Sequence, residues 1–163
     1  EEVCGDFEKL INLQLKEKHP KSWMRAFFNM GLINYIEGSR RMLPCQAGEM
    51  NFFVEPYGDI YPCNGLEKKY WKKRMGNIRE TPNFKEIWEG EQAEQVRQMV
   101  RRCPKNCWMV GTASPVMHKY IKYPLKWALK NKLRSLQGKT ACLDKCWYNV
   151  GQDPSQGDLR EVF

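Results

Sequence analysis

The sequence has little of what membrane proteins and common enzymes require. Only two histidines occur, His19 and His118, and neither stands near a second histidine or a cysteine pair. No apolar run approaches the roughly 18 residues of a membrane-spanning helix, because Lys, Arg or Glu interrupts each one. No Ser/His/Asp arrangement or phosphate-binding loop is evident. We therefore expect no membrane partner, and nothing indicates a hydrolase or a nucleotide-binding enzyme.

An export signal is also missing from the sequence. The first residues, Glu1 to Cys4, include neither an initiator Met nor the basic-then-apolar profile of a signal peptide. We expect a cytoplasmic protein that is a piece of a longer chain. The cytosol keeps thiols reduced, and the seven cysteines are odd in number, so a disulfide framework is disfavoured. Metal ligation is the preferred interpretation of the cysteines.

Acidic residues are absent from one long stretch of the chain. None occurs between Gln95 and Leu143, where eleven Lys and Arg residues do, and the net charge of the chain is +8. This asymmetry predicts an acidic partner, which could be nucleic acid, an anionic cofactor or the rest of a larger protein. Nucleic acid is not favoured, because no RNA-binding motif accompanies the charges, although Tyr120, Tyr123 and Trp127 could stack on bases. The alternative is a solvated basic helix face.

The order of sequence patterns predicts an α+β fold. Residues 1–42 show helical spacing interrupted at His19-Pro20, which predicts two helices. Residues 50–63 change to a β-rich pattern around the turn signal Pro56-Tyr57-Gly58-Asp59, which predicts an antiparallel hairpin ending at Cys63. Residues 64–80 have no clear period and are interpreted as an exposed loop.

Two further helical segments follow the hairpin. Asn83 and Glu86 resemble an N-terminal capping box, and helical spacing then continues until Pro104, which places Cys103 at a helix end. A basic amphipathic helix is predicted from Pro124 to a stop at Gly138. Its apolar face would comprise Leu125, Ala128, Leu129, Leu133 and Leu136. The predicted fold is thus a small antiparallel hairpin with cysteine-bearing loops, flanked by N- and C-terminal helices.

Four cysteines have a spacing suited to one metal centre. Cys45 and Cys63 bracket the predicted hairpin, with Gly58 five residues before the second, while Cys103 and Cys107 lie at a helix-ending turn. Two such pairs could converge into a set of four thiolates. That donor set suits either a [4Fe–4S] cluster or a structural zinc ion.

The ordered motifs resemble the SPASM/Twitch domains at the C-terminus of radical S-adenosylmethionine (SAM) enzymes. The resemblance covers about residues 43–108 and rests on the run from Cys45 through Gly58 to Cys63, on Met75-Gly76-Asn77-Ile78, on Phe84-Lys85-Glu86-Ile87-Trp88, and on the final pair Cys103 and Cys107. It implies an auxiliary [4Fe–4S] cluster held by the four cysteines and used in electron transfer or substrate positioning. It also implies a radical SAM barrel partner, expected in cis, and a peptide or small-molecule substrate.

The same resemblance suggests how the chain is organised. Residues 1–42 would be helices at the end of a preceding radical SAM barrel, residues 43–110 the cluster-binding core, and residues 111–163 a basic helical extension and tail. The alternative from another functional class is a zinc-binding module with a nucleic-acid or protein partner.

The sequence departs from a complete radical SAM enzyme in two ways. The C-x(3)-C-x(2)-C motif that binds the catalytic cluster is absent, so we expect no catalysis by this chain alone and SAM binding only through another domain. A full SPASM pattern would place C-x(2)-C-x(5)-C-x(3)-C and one more cysteine after the gap, whereas after Cys107 this chain has no cysteine until Cys142 and Cys146, which favours a single, Twitch-like cluster. Cys142 and Cys146 offer a second candidate metal site, or they are simply two reduced thiols. Asn149 stands where a third cysteine would be needed for a catalytic motif.

Overall fold

A computed structural model describes residues 2–64, 74–103 and 105–143 of the chain. These residues form six helices and one three-stranded antiparallel sheet, which confirms the predicted α+β fold. The helices are α1 (Glu2–Lys16), α2 (Pro20–Ile36), α3 (Phe84–Glu89), α4 (Glu91–Arg101), α5 (Val110–Lys119) and α6 (Lys122–Leu136), and the strands are β1 (Phe53–Val54), β2 (Asp59–Tyr61) and β3 (Gly76–Asn77). None of these helices is both long and apolar enough to cross a bilayer.

The described residues belong to two compact units. A helical unit comprises residues 2–44 and 105–143 and contains α1, α2, α5 and α6. A cysteine-bearing unit comprises residues 45–103, with 65–73 not described, and contains the sheet, α3 and α4. The predicted domain boundaries near residues 42 and 110 concern a larger protein and stay a prediction.

The helical unit is built around large aromatic side chains. Phe27 packs its ring edgewise against Trp127, with ring centroids 5.6 Å apart, and against Trp108 at 6.4 Å. Gly31 is required at this contact, because a Cβ atom there would lie 2.1 Å from the Trp108 ring. The indole N–H of Trp108 donates to the Phe28 carbonyl at 2.8 Å, which satisfies its polar atom inside the core.

Helix α6 is anchored to its neighbours by polar contacts at its inner side. The ammonium of Lys132 donates to the carbonyls of Leu15, Lys16 and Glu17 at 2.7, 3.1 and 2.8 Å, which places a positive charge at the C-terminus of α1. Buried Asn131 accepts the Cys142 N–H at 2.7 Å, and the indole N–H of Trp127 donates to the Cys142 carbonyl. The chain following α6 is thereby held against the helix.

The structure corrects two predictions about the C-terminal part. Helix α6 begins at Lys122 rather than Pro124, and its row of leucines does not face the core: the buried side chains are Pro124, Trp127, Ala128 and Asn131. Trp127 is only 2% exposed and cannot stack on a nucleic-acid base.

Helix α5 was not predicted from the sequence, because Gly111 and the internal Pro115 are poor helix formers. Burial of Ala113 and Val116 stabilises this helix instead.

The predicted hairpin is present in the cysteine-bearing unit. Strands β1 and β2 pair antiparallel with Val54 opposite Ile60, and Gly58 adopts φ +90° in the connecting turn. A Cβ atom at Gly58 would lie 2.9 Å from Oδ1 of Asn77, so both the conformation and the space require glycine. Cys63 follows two residues after β2.

A third strand lies where an exposed loop was predicted. Residues 74–80 include β3, which pairs antiparallel with β2, and Met75 beside it is 1% exposed. A two-residue strand is too short to produce a period in the sequence, which explains the wrong prediction; residues 65–73 lie outside the described part. Glu80 and Asp59 each accept from Arg74 at 2.5 Å, and these hydrogen bonds raise the pKa of Arg74.

The predicted cap begins α3. The side chain of Asn83 accepts from the Lys85 N–H at 3.1 Å and donates to the Glu86 carboxylate at 2.7 Å. Helix α4 starts after Gly90 and ends at Arg101, so Cys103 lies just past a helix C-terminus, as predicted.

Candidate metal centre

The loop that follows Cys45 is a compact turn with its own hydrogen bonds. The N–H groups of Glu49 and Met50 donate to the Gln46 carbonyl, and the Gly48 N–H donates to Asn51. Gly48 adopts φ +77°, a conformation in which a side chain would also meet Cβ of Pro62 at 3.2 Å. The turn therefore depends on glycine, and it keeps the segment after Cys45 close to the residue before Cys63.

A direct hydrogen bond joins the Cys45 loop to the hairpin end. Nδ2 of Asn51 donates to the Pro62 carbonyl at 3.3 Å, one residue before Cys63. Oδ1 of the same amide is buried and has no hydrogen-bond partner within the described residues. Buried polar atoms are normally satisfied, so a donor or cation reaching this loop would complete the contacts of Asn51.

Helix α4 is fixed to the Cys45 loop mainly by Arg97. Its guanidinium donates to the Gly48 carbonyl at 2.7 Å and to the Trp88 carbonyl at 2.5 Å, and lies 4.7 Å from the centroid of the Trp88 ring. One turn further along the helix, Arg101 forms a salt bridge with Glu49 at 3.2 Å. A planar guanidinium is well suited to such combined hydrogen bonding and stacking. These contacts orient the helix end that carries Cys103.

Three of the four predicted ligands pack against the same small apolar surface. Buried Ala47 and Val100 form this surface, and the half-buried Cys45, Cys63 and Cys103 contact it. The N–H of Cys103 donates to the Val100 carbonyl at 3.0 Å. Three half-buried cysteines that are distant in the sequence are thus grouped around one apolar pair.

Cys107, the fourth predicted ligand, belongs to the helical unit and is half-buried there. Its carbonyl accepts a hydrogen bond from Arg41, a side chain only 6% exposed. Arg41 also donates to the carbonyls of Leu43 at 2.9 Å and Thr112 at 3.2 Å, and lies 5.6 Å from the Trp108 ring centroid. The sequence analysis missed Arg41, since the Arg40-Arg41 pair before Cys45 carries no motif, and only its burial distinguishes Arg41 from Arg40.

The donor chemistry of these cysteines fits a cluster, because thiolates are the usual protein ligands of iron–sulfur centres. Within residues 2–64, 74–103 and 105–143, no group of three or more His, Cys, Asp or Glu residues is placed to hold one metal ion. The structure thus gathers three thiols around one surface without closing a coordination sphere.

The other candidate residues are dispersed. His19 and His118 are exposed. Cys4 is half-buried and packs against the core of the helical unit. Cys142 is half-buried with its backbone held by α6, whereas Cys146 lies outside the described residues, so the second metal site stays a prediction.

Comparison with known proteins supports the resemblance seen in the motifs. Residues 45–109 match the family model of SPASM, described as an iron–sulfur cluster-binding domain. The matched segment contains all four predicted ligands and covers about two fifths of the chain. No curated protein and no solved structure matches the chain significantly. The SPASM resemblance is confirmed for this segment, and iron–sulfur cluster binding is the function that this family indicates.

Replacing Arg41 by Met should destabilise the chain and loosen the residues around Cys107. The variant leaves three carbonyl acceptors without their donor inside the protein, which we expect to cost about 2–4 kcal/mol of the free energy of unfolding. Anaerobic urea denaturation followed by tryptophan fluorescence measures this change.

The matched control for this prediction is Arg40→Met, because Arg40 is the exposed neighbour of Arg41. We expect the Arg40 variant to stay within about 0.5 kcal/mol of the unsubstituted chain. Equal, small effects of the two substitutions would show that the hydrogen bonds of Arg41 do not hold the Cys107 segment.

Proposed function

We propose that this chain holds one auxiliary [4Fe–4S] cluster through Cys45, Cys63, Cys103 and Cys107. The cluster would serve electron transfer or substrate positioning in a radical SAM enzyme that modifies a peptide or a small molecule. The observation that carries the proposal is the grouping of three cysteines on the Ala47–Val100 surface, within a segment that matches an iron–sulfur family.

Cys107 is proposed as the fourth ligand because of its position in the chain. It follows Cys103 by four residues, and a chain of that length spans at most about 14 Å. Metal ligation is coupled to local folding, so the thiolates are expected to close around the cluster as it is inserted. Four cysteine ligands match the four irons of a cubane cluster, each of which needs one external ligand.

The surroundings of the three grouped cysteines suit a redox centre. Ala47 and Val100 are buried and offer no polar atom from their side chains, and the three cysteines that contact them are half-buried. Arg97 and Arg101 contribute positive charge to the same loop and helix, although both also contact Glu94. Burial, charge and hydrogen bonding near the sulfurs are the properties that set the potential of an iron–sulfur cluster.

Partners follow from the same proposal. SPASM domains occur alongside radical SAM domains, so we propose a radical SAM barrel, in cis, as the partner that binds SAM and performs the radical chemistry. The motif for a catalytic cluster is absent from this sequence.

The competing function is a zinc module, since four thiolates also form a structural zinc site. The iron–sulfur description of the matched family favours the cluster.

Single Cys→Ala substitutions test the ligand set. After anaerobic reconstitution with iron and sulfide, each of C45A, C63A, C103A and C107A should lose at least about half of the bound iron and lower the stability of the holo chain, because metal binding supports folding. Iron and sulfide quantitation, with absorbance near 400 nm, reports the loss.

The control for the ligand set is C4A, since Cys4 packs against the core of the helical unit. Its iron content should equal that of the unsubstituted chain. Unchanged iron in all four ligand variants contradicts the proposed set, and a colourless protein that takes up one zinc ion instead supports the zinc module.

Reconstituted chain should not cleave SAM. Four cysteine ligands leave no open iron for the amino and carboxyl groups of SAM, and reductive cleavage requires such an iron. Incubation with dithionite and SAM, followed by chromatography for 5′-deoxyadenosine, should give no product above the level of a cluster-free control. Several turnovers per cluster would mean that a cluster in this chain has an open coordination position.

A further inference from the structure

Helix α6 carries a row of leucines on the side that faces solvent. Leu125, Leu129, Leu133 and Leu136 are 44, 46, 61 and 72% exposed. Their spacing of four, four and three residues places them in one stripe along the helix. The stripe extends over about 16 Å of helix length.

The core of the helical unit does not use this stripe. The buried residues of α6 are Pro124, Trp127, Ala128 and Asn131. At 100° per residue, their mean direction lies roughly 145° around the helix from that of the leucines. A helix that is apolar on its solvent side as well as on its core side has a second surface to cover, because exposed leucines gain free energy when removed from water.

Positive charge runs along one edge of the leucine stripe. Lys122, Lys126 and Lys130 are exposed and follow one another at four-residue spacing, about 65° around the helix from the leucines. No acidic residue occurs in α5 or α6. At the start of α6, half-buried Tyr123 lies with its ring centroid 5.7 Å from the Lys122 ammonium. Apolar, basic and aromatic side chains are thus combined on one exposed helix.

We propose that α6 binds the surface of an anionic lipid bilayer with its axis in the membrane plane. The leucines would enter the boundary between headgroups and acyl chains, and the lysines would contact lipid phosphates. Helices with leucines on one face and lysines beside them bind membranes in this way. The expectation of no membrane partner rested on the lack of a spanning segment, and a helix lying on the surface needs no span.

The chemistry of the surface favours lipid over the other occupants. Nucleic acid would leave the leucines in water, and of the three aromatics that could stack on bases Trp127 is buried while Tyr120 and Tyr123 are half-buried. A protein partner would have to supply an apolar groove that receives the leucines, whereas a bilayer presents both an apolar layer and phosphates to one helix face. The row of leucines matches the apolar acyl chains of a bilayer, and the lysines along one edge of the row match its anionic headgroups.

Vesicle binding by the reconstituted 163-residue chain tests this proposal. Sedimentation with phosphatidylcholine vesicles containing phosphatidylglycerol should recover the protein, and pure phosphatidylcholine vesicles should recover much less. The double variant L129Q/L133Q should partition at least about tenfold more weakly, because both side chains are proposed to enter the lipid. The triple variant K122Q/K126Q/K130Q should also bind at least about tenfold more weakly and with less dependence on salt.

Helix α1 supplies a matched control. Leu10 and Leu13 are 40 and 60% exposed, close to the values of Leu129 and Leu133, but α1 also carries Asp6 and Glu8. The L10Q/L13Q variant should bind anionic vesicles within about twofold of the unsubstituted chain. Helical circular dichroism and iron content, measured on every variant, verify that the fold is retained and that any loss of binding is independent of the cluster.

Three results would overturn the proposal. The first is no recovery of the unsubstituted chain with anionic vesicles, and the second is an equal loss of binding in L10Q/L13Q and L129Q/L133Q. The third is a dimer in sedimentation equilibrium that L129Q/L133Q dissociates while vesicle binding stays unchanged, which would assign the leucine stripe to self-association.

Discussion

Arg97 is the residue on which the arrangement of the cysteine-bearing unit most depends. Its guanidinium joins the loop after Cys45, the end of α3 and helix α4 through two backbone carbonyls and the Trp88 ring. The more exposed Arg101–Glu49 salt bridge also joins the end of α4 to the Cys45 loop. Exposed salt bridges contribute little to stability, whereas hydrogen bonds from a shielded guanidinium contribute more. The grouping of Cys45, Cys63 and Cys103 follows from this geometry.

Buried Arg41 and half-buried Arg97 have comparable roles in the two compact units. Arg41 donates to three carbonyls of the helical unit, those of Leu43, Cys107 and Thr112, just as Arg97 donates to two carbonyls in the cysteine-bearing unit. Each donates to a carbonyl of irregular backbone near a predicted ligand, that of Cys107 for Arg41 and that of Gly48 for Arg97, where no helix or strand supplies the donor. Irregular loops need such donors if their cysteines are to have defined positions. The small sheet contributes mainly by fixing the position of the end of β2, and Cys63 follows that end by two residues.

Sequence patterns predicted the parts of the fold that depend on local chemistry. The two N-terminal helices, the hairpin with its turn at Gly58 and the Asn83 cap were all predicted, because spacing, a required positive φ and a capping side chain are local signals. Helix α5 and strand β3 were not, since tertiary burial stabilises them against weak local propensity.

Side-chain direction was the harder problem at the candidate sites. The cysteine spacing indicated a shared centre, but only the structure shows that three of the cysteines meet at Ala47 and Val100. The leucines of α6 have the spacing of a core face, and periodicity alone cannot tell a face that packs inside the unit from one that remains exposed. Arg41 and Arg97 look like ordinary surface charges in the sequence until their burial and long-range partners are known.

Mössbauer spectroscopy of the chain reconstituted with isotopically enriched iron tests the central claim most directly, because it distinguishes cluster types rather than total metal. The proposed ligand set predicts a single [4Fe–4S] species containing about four irons per chain, each iron with sulfur coordination. That species should account for nearly all of the bound iron. A spectrum dominated by mononuclear iron, or a chain that retains zinc and excludes iron under the same conditions, would contradict the proposed auxiliary cluster.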